Sequence, residues 1–240
     1  MKSVAEGKPK PYKGIGMEGM IATWYANNTR KSMAEFRDLA KRIAVDLRSG
    51  DCALEIAPGP GYLAIELARL GSYRVAGLDV SRTFVRMARE NAARAGVEVE
   101  FRHGDAAALP FADDRFEFIV CRAAFKNFSD PVGALCEMHR VLRPGGKALI
   151  IDMRNDASRK AIAAEVAKMR IGRINAFLTR VVLSALRKRA HSRQDIERMV
   201  LATPFGHCNI VEQPLGLEIT LTKRFCPLAA QENARRQVVA

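Results

Sequence analysis

The stretch Glu55-Ile56-Ala57-Pro58-Gly59-Pro60-Gly61-Tyr62-Leu63-Ala64 decides the fold. An apolar run leads into it, and a helical pattern starts at Tyr62. Because Gly59 and Gly61 lack Cβ atoms, the backbone between them is able to turn tightly and approach a ligand closely. The helix that follows presents unpaired N–H groups in its first turn. We therefore predict a strand, a ligand-binding loop and a helix in direct succession.

Apolar runs and helical patterns alternate through the middle of the chain. Runs typical of buried strands lie at 53–57, 73–79, 97–102, 116–121 and 147–152. Helical patterns lie between most of them, at 62–70, 82–95 and 131–142. The last of these helices has Asp130 as its cap, Pro131 at its first position and Pro144-Gly145 as its stop. Strands that alternate with helices predict a parallel, doubly wound α/β sheet.

The chain continues with further helical patterns and a predicted hairpin. The helical patterns lie at 158–169, 173–189 and 192–201. Two strand-like runs follow, at 208–213 and 217–223, with Pro214 and Gly216 between them. Such a pair predicts an antiparallel hairpin at the edge of the sheet.

Two capping boxes predict helix starts in the flanks. Ser32 is followed three residues later by Glu35, and Ser192 by Asp195. In such a pair each side chain satisfies a free backbone N–H group of the other residue. The first box predicts a helix that extends to about Leu47. The Lys-, Pro- and Gly-rich residues before about Met17 predict a mobile arm, and the last residues a ragged tail.

The composition excludes several classes of protein. The 240 residues are 48% hydrophobic and 27% charged, which excludes disorder and suffices for one domain with a large core. The five cysteines contain no C-x-x-C pair and the four histidines show no ligand spacing, so we expect neither a disulfide framework nor a metal site. The amino terminus lacks the apolar stretch of a signal peptide, and no window approaches the roughly 18 apolar residues of a membrane span. We expect a cytoplasmic protein.

Positive charge is distributed unevenly. The net charge is +13, from 39 Lys and Arg against 26 Asp and Glu. Residues 1–48 hold 10 basic and 5 acidic residues, 49–155 hold 14 of each, and 156–240 hold 15 and 7. The excess, which would suit nucleic acid, an anionic membrane or an acidic substrate, therefore belongs to the flanks.

The glycine loop fits two classes of cofactor. Gly59-x-Gly61-x-x-Ala64 matches the dinucleotide fingerprint, and Asp79, 18 residues after Gly61, matches its ribose-binding acid. Arg82 would suit a 2′-phosphate, so an NAD(P)-dependent oxidoreductase is one alternative.

An acidic set at the strand ends favours a different cofactor. Glu55, Asp79 and Asp105 all fall at or just after predicted strand ends. Three carboxylates suit a ligand that carries positive charge and no phosphate.

Two further motifs carry a family resemblance. One begins Gly104-Asp105-Ala106-Ala107-Ala108-Leu109-Pro110-Phe111 and continues to Cys121; the other is His139-Arg140-Val141-Leu142-Arg143-Pro144-Gly145-Gly146. Together with the glycine loop they resemble the class I S-adenosylmethionine-dependent methyltransferases, specifically the group similar to the ubiquinone/menaquinone-biosynthesis methyltransferases. The resemblance covers about residues 53–152. It implies a mostly parallel, seven-stranded Rossmann-like sheet with an antiparallel edge hairpin, S-adenosylmethionine as cofactor and methyl transfer as activity.

The resemblance also implies a set of cofactor contacts. The loop residues would lie under the methionine part of the cofactor, Asp79 would bind the ribose hydroxyls, and Asp105 would bind the adenine amino group. The complete expected set is Glu55, Ala57, Gly59, Gly61, Asp79, Val80, Asp105, Ala106, Cys121 and Arg122. Ala57 stands where the family often has glycine. We expect Cys121 to be a small buried residue rather than a nucleophile.

The acceptor is predicted to be a small molecule, apolar or anionic. The loop Arg122-Ala123-Ala124-Phe125-Lys126-Asn127-Phe128 should face the reacting methyl group, and it lacks the motifs of nucleic-acid base methyltransferases. Candidate acceptor contacts are Trp24, Tyr25, Phe125 and Asn127, although the first two could be ordinary core aromatics. His103 and His139 are expected to be surface or solvated residues, so no general base is assigned. Without a general base, the acceptor must be acidic or already nucleophilic, and a phenol, thiol, amine or stabilised carbanion is of this kind.

The basic flanks are expected to cover the acceptor. We predict one domain in four parts: an arm with cap helices (1–48), a cofactor-binding core (49–155), a helical cover (156–205), and a sheet-closing hairpin with a tail (206–240). In the cover, apolar residues from Ile171 to Leu186 form one helical face, and arginines recur every seven residues on the other. This helix is either packed in the core with a solvated charged face, or it forms a lid or touches a membrane surface.

Three alternatives to a small-molecule methyltransferase remain open at this point. An RNA methyltransferase would use the basic flanks to follow a phosphate backbone. An NAD(P)-dependent oxidoreductase would use the glycine loop, and a non-catalytic binding protein would hold the cofactor without transferring a methyl group. The oligomeric state is not predicted.

Overall fold

Seven strands form one sheet in the computed structural model, which describes residues 12–13, 16–168 and 172–225. The strands are β1 (Cys52–Ile56), β2 (Arg74–Asp79), β3 (Glu100–His103), β4 (Phe116–Arg122), β5 (Leu142–Met153), β6 (Asn209–Glu212) and β7 (Gly216–Thr222). Their order across the sheet is β3-β2-β1-β4-β5-β7-β6. The first five are parallel, and β7 and β6 add an antiparallel edge. The predicted fold class is confirmed.

Eight α-helices accompany the sheet in the described part of the chain. They are α1 (Gly19–Thr29), α2 (Met33–Ala44), α3 (Tyr62–Leu70), α4 (Arg82–Ala95), α5 (Pro131–Val141), α6 (Arg159–Lys168), α7 (Arg173–Arg187) and α8 (Arg193–Leu201). Apolar residues of α2, α3 and α4 form one core with alternate strand residues, and those of α5 and α8 form a second. Successive side chains of a strand point to opposite faces of the sheet, so these two cores lie on opposite faces. Helices therefore bury the sheet on both sides.

The helices with clear end signals lie where the sequence predicts them. Asp130 accepts a hydrogen bond from the Gly133 N–H at 2.8 Å and caps α5. Ser192 and Asp195 form the predicted capping box at the start of α8. Helix α5 ends before the predicted Pro144-Gly145 stop, because Leu142 already pairs with Phe116 as the first residue of β5.

The other predicted capping box is wrong. Ser32 ends a one-turn 3-10 helix that joins α1 to α2, and its φ and ψ of −96° and 25° are not the extended values that a cap requires. Its side chain caps nothing, and Glu35 instead pairs with Arg122 at 2.7 Å. Helix α2 ends at Ala44 rather than near Leu47.

Helix α1 was not predicted. Its apolar residues lie on both sides of the helix, with Ala22 and Ala26 buried and Met20, Ile21 and Trp24 exposed, so the sequence shows no contrast between an apolar and a polar face. The helix also ends in Asn, Asn and Thr, which are weak helix formers.

Most of the predicted arm and tail, including Cys226, lies outside the described residues. Within the described ranges, the helices are too short or too polar to cross a bilayer. The division of the domain into four parts stays a prediction.

Candidate active site

The carboxyl ends of the five parallel strands meet at one edge of the sheet, where ligands bind in open α/β folds. Four carboxylates lie at this edge or just beyond it. They are Glu55 on β1, Asp79 on β2, Asp105 after β3 and Asp152 on β5. The sequence predicted the first three as a cofactor set, and the fourth was missed although it also falls at a strand end.

The glycine loop joins β1 to α3 through left-handed backbone. Ala57, Gly59 and Gly61 have φ values of 58°, 55° and 81°. A Cβ atom on Gly61 would lie 2.8 Å from the Phe101 ring and 2.9 Å from the Ala88 Cβ, so α3 packs against its neighbours only with glycine there. A Cβ on Gly59 would face the Tyr25 ring at 3.8 Å. Gly61 thus fixes the loop, while Gly59 faces the space beneath α1.

Glu55 caps the start of α3, where the N-cap residue Gly61 has no side chain to accept a hydrogen bond. Its Oε2 atom accepts a hydrogen bond from the Ala64 N–H in the first turn of α3, at 2.9 Å. The carboxyl group is buried, and this burial raises its pKa to about 8, against opposing effects of the Ala64 hydrogen bond and the Arg122 charge. A cation placed nearby would favour the ionised form of this group.

Asp79 ties the end of β2 to the loop. Its Oδ2 atom accepts a hydrogen bond from the Gly59 N–H at 3.0 Å, and its Oδ1 atom accepts one from the Ser81 N–H at 2.8 Å. Burial raises its pKa to about 6, while the two backbone hydrogen bonds act in the opposite direction. The same carboxylate therefore fixes the loop and faces the ligand edge.

Val80 and Ala106, expected to contact the cofactor with Asp79 and Asp105, follow the ends of the neighbouring strands β2 and β3. Asp105 accepts a hydrogen bond from the Ala107 N–H at 3.0 Å, and Ala106 between them is buried. The carbonyl of Val80 is 3.1 Å from Nε2 of His103. His103 is exposed at the end of β3, as expected.

At the end of β4, Cys121 and Arg122 have different environments. Cys121 is fully buried, and burial raises the pKa of its thiol, which disfavours the thiolate form. Arg122 pairs with Glu35, and its guanidinium lies 4.7 Å from the centre of the Phe36 ring. This arginine connects α2 to the ligand edge.

Two short described pieces of the amino terminus contact the two sides of this edge. We call residues 12–13 and 16–18 the N-terminal strap. On the β4 side, the Lys13 N–H donates to the Asn127 carbonyl at 2.7 Å. On the β2 side, the Ser81 hydroxyl donates to the Met17 carbonyl at 2.6 Å, and the Glu18 carboxylate accepts the N–H groups of Arg82 and Thr83, both at 3.0 Å. The strap therefore contacts the edge both on the β4 side and on the β2 side.

The four predicted acceptor contacts are not brought together as one group. Tyr25, on α1, has a half-buried side chain, and the centre of its ring lies 5.7 Å from that of Phe84. Trp24 is 67% exposed, and Phe125 is a core residue. Asn127 is buried, and its Oδ1 atom has no hydrogen-bond partner among the described residues.

A buried polar cluster near Asn127 was missed by the sequence analysis. The Lys126 ammonium donates to Asp152 at 2.9 Å, and both residues are buried. His191 lines a small cavity with them, and its Nε2 atom is buried without a partner within the described ranges. Burial and the Lys13 charge lower the pKa of His191, while the charges of Asp195 and Asp152 act in the opposite direction, so its environment favours the neutral ring.

His139 is less exposed than expected, because its ring packs against Phe205 at 4.9 Å. It lies on α5, away from the ligand edge.

A second cleft opens at the opposite edge of the sheet. Its volume is about 580 Å³, and its walls include the first residues of four strands: Cys52, Arg74, Glu100 and Phe116. None of the predicted site residues lines it.

The central part of the chain is similar in sequence to known methyltransferases. Residues 54–150 match the protein family described as "Methyltransferase domain". The ubiquinone/menaquinone biosynthesis C-methyltransferase of Marinomonas sp. (strain MWYL1) is 37% identical over 110 residues, which are 44% of each chain. The demethylmenaquinone methyltransferase of Thermus thermophilus is 38% identical over 116 residues, or 47% of this chain and 53% of that one. The chain thus spans about half the length of the curated relatives it matches.

A solved structure extends the similarity of fold to nearly the whole chain. A protein of Methanococcus maripaludis, assigned as an S-adenosyl-L-methionine-dependent methyltransferase, superposes with a TM-score of 0.70 at 21% identity. The match covers 94% of this chain and all of the other. The matched domain family and both relatives are methyltransferases, and the two relatives are named for quinone chemistry.

Proposed function

We propose that this chain, whose residues 54–150 form a class I S-adenosylmethionine-dependent methyltransferase domain, transfers a methyl group from S-adenosylmethionine to a small-molecule acceptor. One observation carries the proposal: Glu55, Asp79 and Asp105 lie at the same edge of the sheet, around a loop whose Gly59 leaves room beneath Tyr25. Three carboxylates at a water-poor edge suit a cationic ligand.

The cofactor contacts follow from that arrangement and from the family resemblance. The loop residues Glu55, Ala57, Gly59 and Gly61 would hold the methionine part. Asp79 would accept hydrogen bonds from the ribose hydroxyl groups. Asp105 and Ala106 would hold the adenine ring beside Val80. Cys121 and Arg122, at the end of β4, would lie next to the reacting centre.

The chain's own contribution to the reaction is alignment and exclusion of water. When bound, S-adenosylmethionine would supply a sulfonium methyl group that an aligned nucleophile attacks in line, with the sulfur leaving as the neutral thioether of S-adenosylhomocysteine. Alignment alone is worth several orders of magnitude in rate. The N-terminal strap would keep water from the edge, since it is anchored on both sides of it. The residues 1–48 and 156–205 would form the acceptor cover around the 49–155 core, with 206–240 closing the sheet.

We propose that the acceptor is a hydroxylated ring compound with an apolar part. The relatives' names point to quinone chemistry. The two buried atoms without partners, Asn127 Oδ1 and His191 Nε2, favour an acceptor with polar ring substituents, because such atoms are rarely left unpaired. Neutral His191 would take the proton of a hydroxyl acceptor that arrives protonated. An acceptor of this kind partitions into membranes, which would suit peripheral membrane contact.

Transfer of a labelled methyl group tests the proposal. The purified chain is incubated with S-adenosylmethionine that carries a tritiated methyl group, and with demethylated quinone precursors, simple phenols, a thiol or total RNA. We expect label in the organic extract of the ring acceptors, and its loss in the Asp79→Asn variant. Label only in RNA, or no transfer by a chain that binds S-adenosylhomocysteine, would contradict the proposal; the latter would indicate a binding protein.

A further inference from the structure

Two helices beside the candidate site expose apolar side chains. On α1, Met20 is 89% and Trp24 is 67% exposed, and Ile21 lies beside them. On α7, Phe177 is 65% exposed, with Val181 and Val182 each about half exposed. Residues four apart lie on the same face of a helix, so each set forms one apolar surface. We call the two together the α1–α7 surface.

Helix α7 is not oriented as a helix that packs in a core. The Arg187 guanidinium turns inward and donates to the Ala157 carbonyl. Phe177, Val181 and Val182 face solvent instead. A core-packed helix would place the apolar residues inward and the arginine outward. The exposed face is therefore suited to a partner outside the domain.

Within the two stretches of sequence that carry this surface, every charged residue is basic. The sequence from 166 to 194 contains eight Lys and Arg and no Asp or Glu. The sequence from 19 to 34, which includes α1, contains Arg30 and Lys31 and again no acid. Arg180, Lys188 and Arg189 are exposed. Apolar residues interspersed with basic ones, with no acid among them, are complementary to an anionic lipid surface.

Both helices adjoin the ligand edge of the sheet. Tyr25 of α1 faces Gly59, as described above. The end of α7 lies on the β5 side of that edge, because Arg187 donates to the carbonyl of Ala157, just after β5, and His191, just after α7, lines the small cavity at the end of β5. A bilayer in contact with these helices would therefore lie close to the ligand edge.

We propose that the α1–α7 surface docks onto an anionic lipid bilayer. The docking stands independently of the proposed methyl transfer; only the entry of an apolar acceptor from the bilayer rests on it. The apolar residues enter the boundary between headgroups and acyl chains, and the arginines and lysines contact the lipid phosphates. The occupant is the bilayer rather than a second copy, because two such basic surfaces would repel each other.

Trp24 is the single tryptophan of the chain and reports on the docking directly. The full-length protein is mixed with phosphatidylglycerol-rich vesicles or with pure phosphatidylcholine vesicles. We expect a blue shift of the tryptophan emission and co-flotation with the anionic vesicles, both reduced by salt. An unshifted emission together with protein that stays below the vesicles would overturn the proposal.

Matched variants separate this surface from exposed apolar residues in general. Phe177→Ser with Val182→Ser should reduce partitioning onto anionic vesicles about tenfold, since each buried methylene contributes to binding. Arg180→Glu with Lys188→Glu should reduce it by about as much. Leu201→Ser on α8, at 70% exposure, should leave it unchanged. Equal effects of all three changes would overturn the assignment of this surface.

Two further measurements make failure interpretable. The rise in melting temperature with S-adenosylhomocysteine should be the same in Phe177→Ser and in the parent chain, so loss of docking is distinguishable from loss of the proposed function. Sedimentation velocity should show no change of oligomeric state in the variants. Dissociation of a dimer by Phe177→Ser would assign the surface to a second copy and overturn the proposal.

Discussion

Ala57 has the left-handed backbone that glycine adopts without cost, with φ at 58°. A Cβ atom in this conformation costs roughly 1–2 kcal/mol. The family that the chain resembles often has glycine at this position, which agrees with a strained backbone at Ala57. The strain is local to the turn between β1 and the loop, where the Ala57 N–H donates to the Leu78 carbonyl at 2.8 Å.

Ala57→Gly should therefore stabilise the protein by roughly 1 kcal/mol, because the relief of strain exceeds the added flexibility of the unfolded chain. Chemical denaturation measures the change. Ala93→Gly is the control: it is exposed in the ordinary helical backbone of α4 and should lose about 1 kcal/mol. A loss of stability in Ala57→Gly would show that the turn is not strained.

The two loop glycines should fail differently on substitution. Gly61→Ala places a Cβ against Phe101 and Ala88 and should lower the free energy of unfolding by several kcal/mol. Gly59→Ala has room for its Cβ, so it should remain folded with about 1 kcal/mol of strain but bind S-adenosylhomocysteine more weakly. Thermal unfolding with and without S-adenosylhomocysteine checks both. Equal losses of stability would contradict the separate roles.

Glu55 should make stability depend on pH. Its pKa rises from 4.5 to about 8 on folding, so its contribution is complete below pH 4.5 and is lost as pH rises towards 8. Glu55→Gln should flatten the fall in unfolding free energy across this window. Asp79→Asn should affect only the part below about pH 6. The check is unfolding at several pH values; a Glu55→Gln profile parallel to the parent's would refute the assignment.

At the scale of elements, the N-terminal strap depends on Glu18. Hydrogen bonds from Thr83 and its neighbours lower the pKa of this carboxyl, although burial acts the other way. Glu18→Ala should release the strap from α4 and weaken S-adenosylhomocysteine binding several-fold, with the fold intact. Titration calorimetry measures the affinity, with exposed Asp38→Ala as the control. An unchanged affinity would mean that the strap does not cover the cofactor.

The elements that the sequence predicted are those with local end signals. Helices α3 and α4 have the predicted bounds, and α5 and α8 have the predicted caps. The predicted cap at Ser32 is wrong because a cap residue needs extended backbone, whereas Ser32 follows a helical turn and is not extended. The strap and its contacts arise from residues 64 or more positions apart, which no local pattern encodes.

The part of the candidate site that the sequence predicted consists of acidic residues at the ends of successive strands. Glu55, Asp79 and Asp105 follow that order, and Asp152 would have been found by the same rule. The Lys126–Asp152 pair and His191 come together only through packing of β5 against the segment before α8. Their proximity is a tertiary property, and so is the outward face of α7, whose sequence fits a packed helix equally well.

At the scale of the whole molecule, the net charge of +13 is not spread evenly between the sheet core and the flanks. The sheet core of 49–155 is balanced, and its ligand edge is acidic. The excess lies on the flanks, where the α1–α7 surface joins basic and apolar residues. The fold thus separates an acidic edge that suits a cationic cofactor from a basic cover that suits an anionic surface.

The central claim is that the acidic edge holds S-adenosylmethionine, and a calorimetric titration with S-adenosylhomocysteine tests it most directly. We predict one site per chain, and a loss of affinity of about tenfold or more in Asp79→Asn, because a carboxylate bonded to the ribose contributes about 1.5–3 kcal/mol. NADH should not bind. A folded chain that fails to bind S-adenosylhomocysteine, or an Asp79→Asn variant with the parent's affinity, would contradict the account.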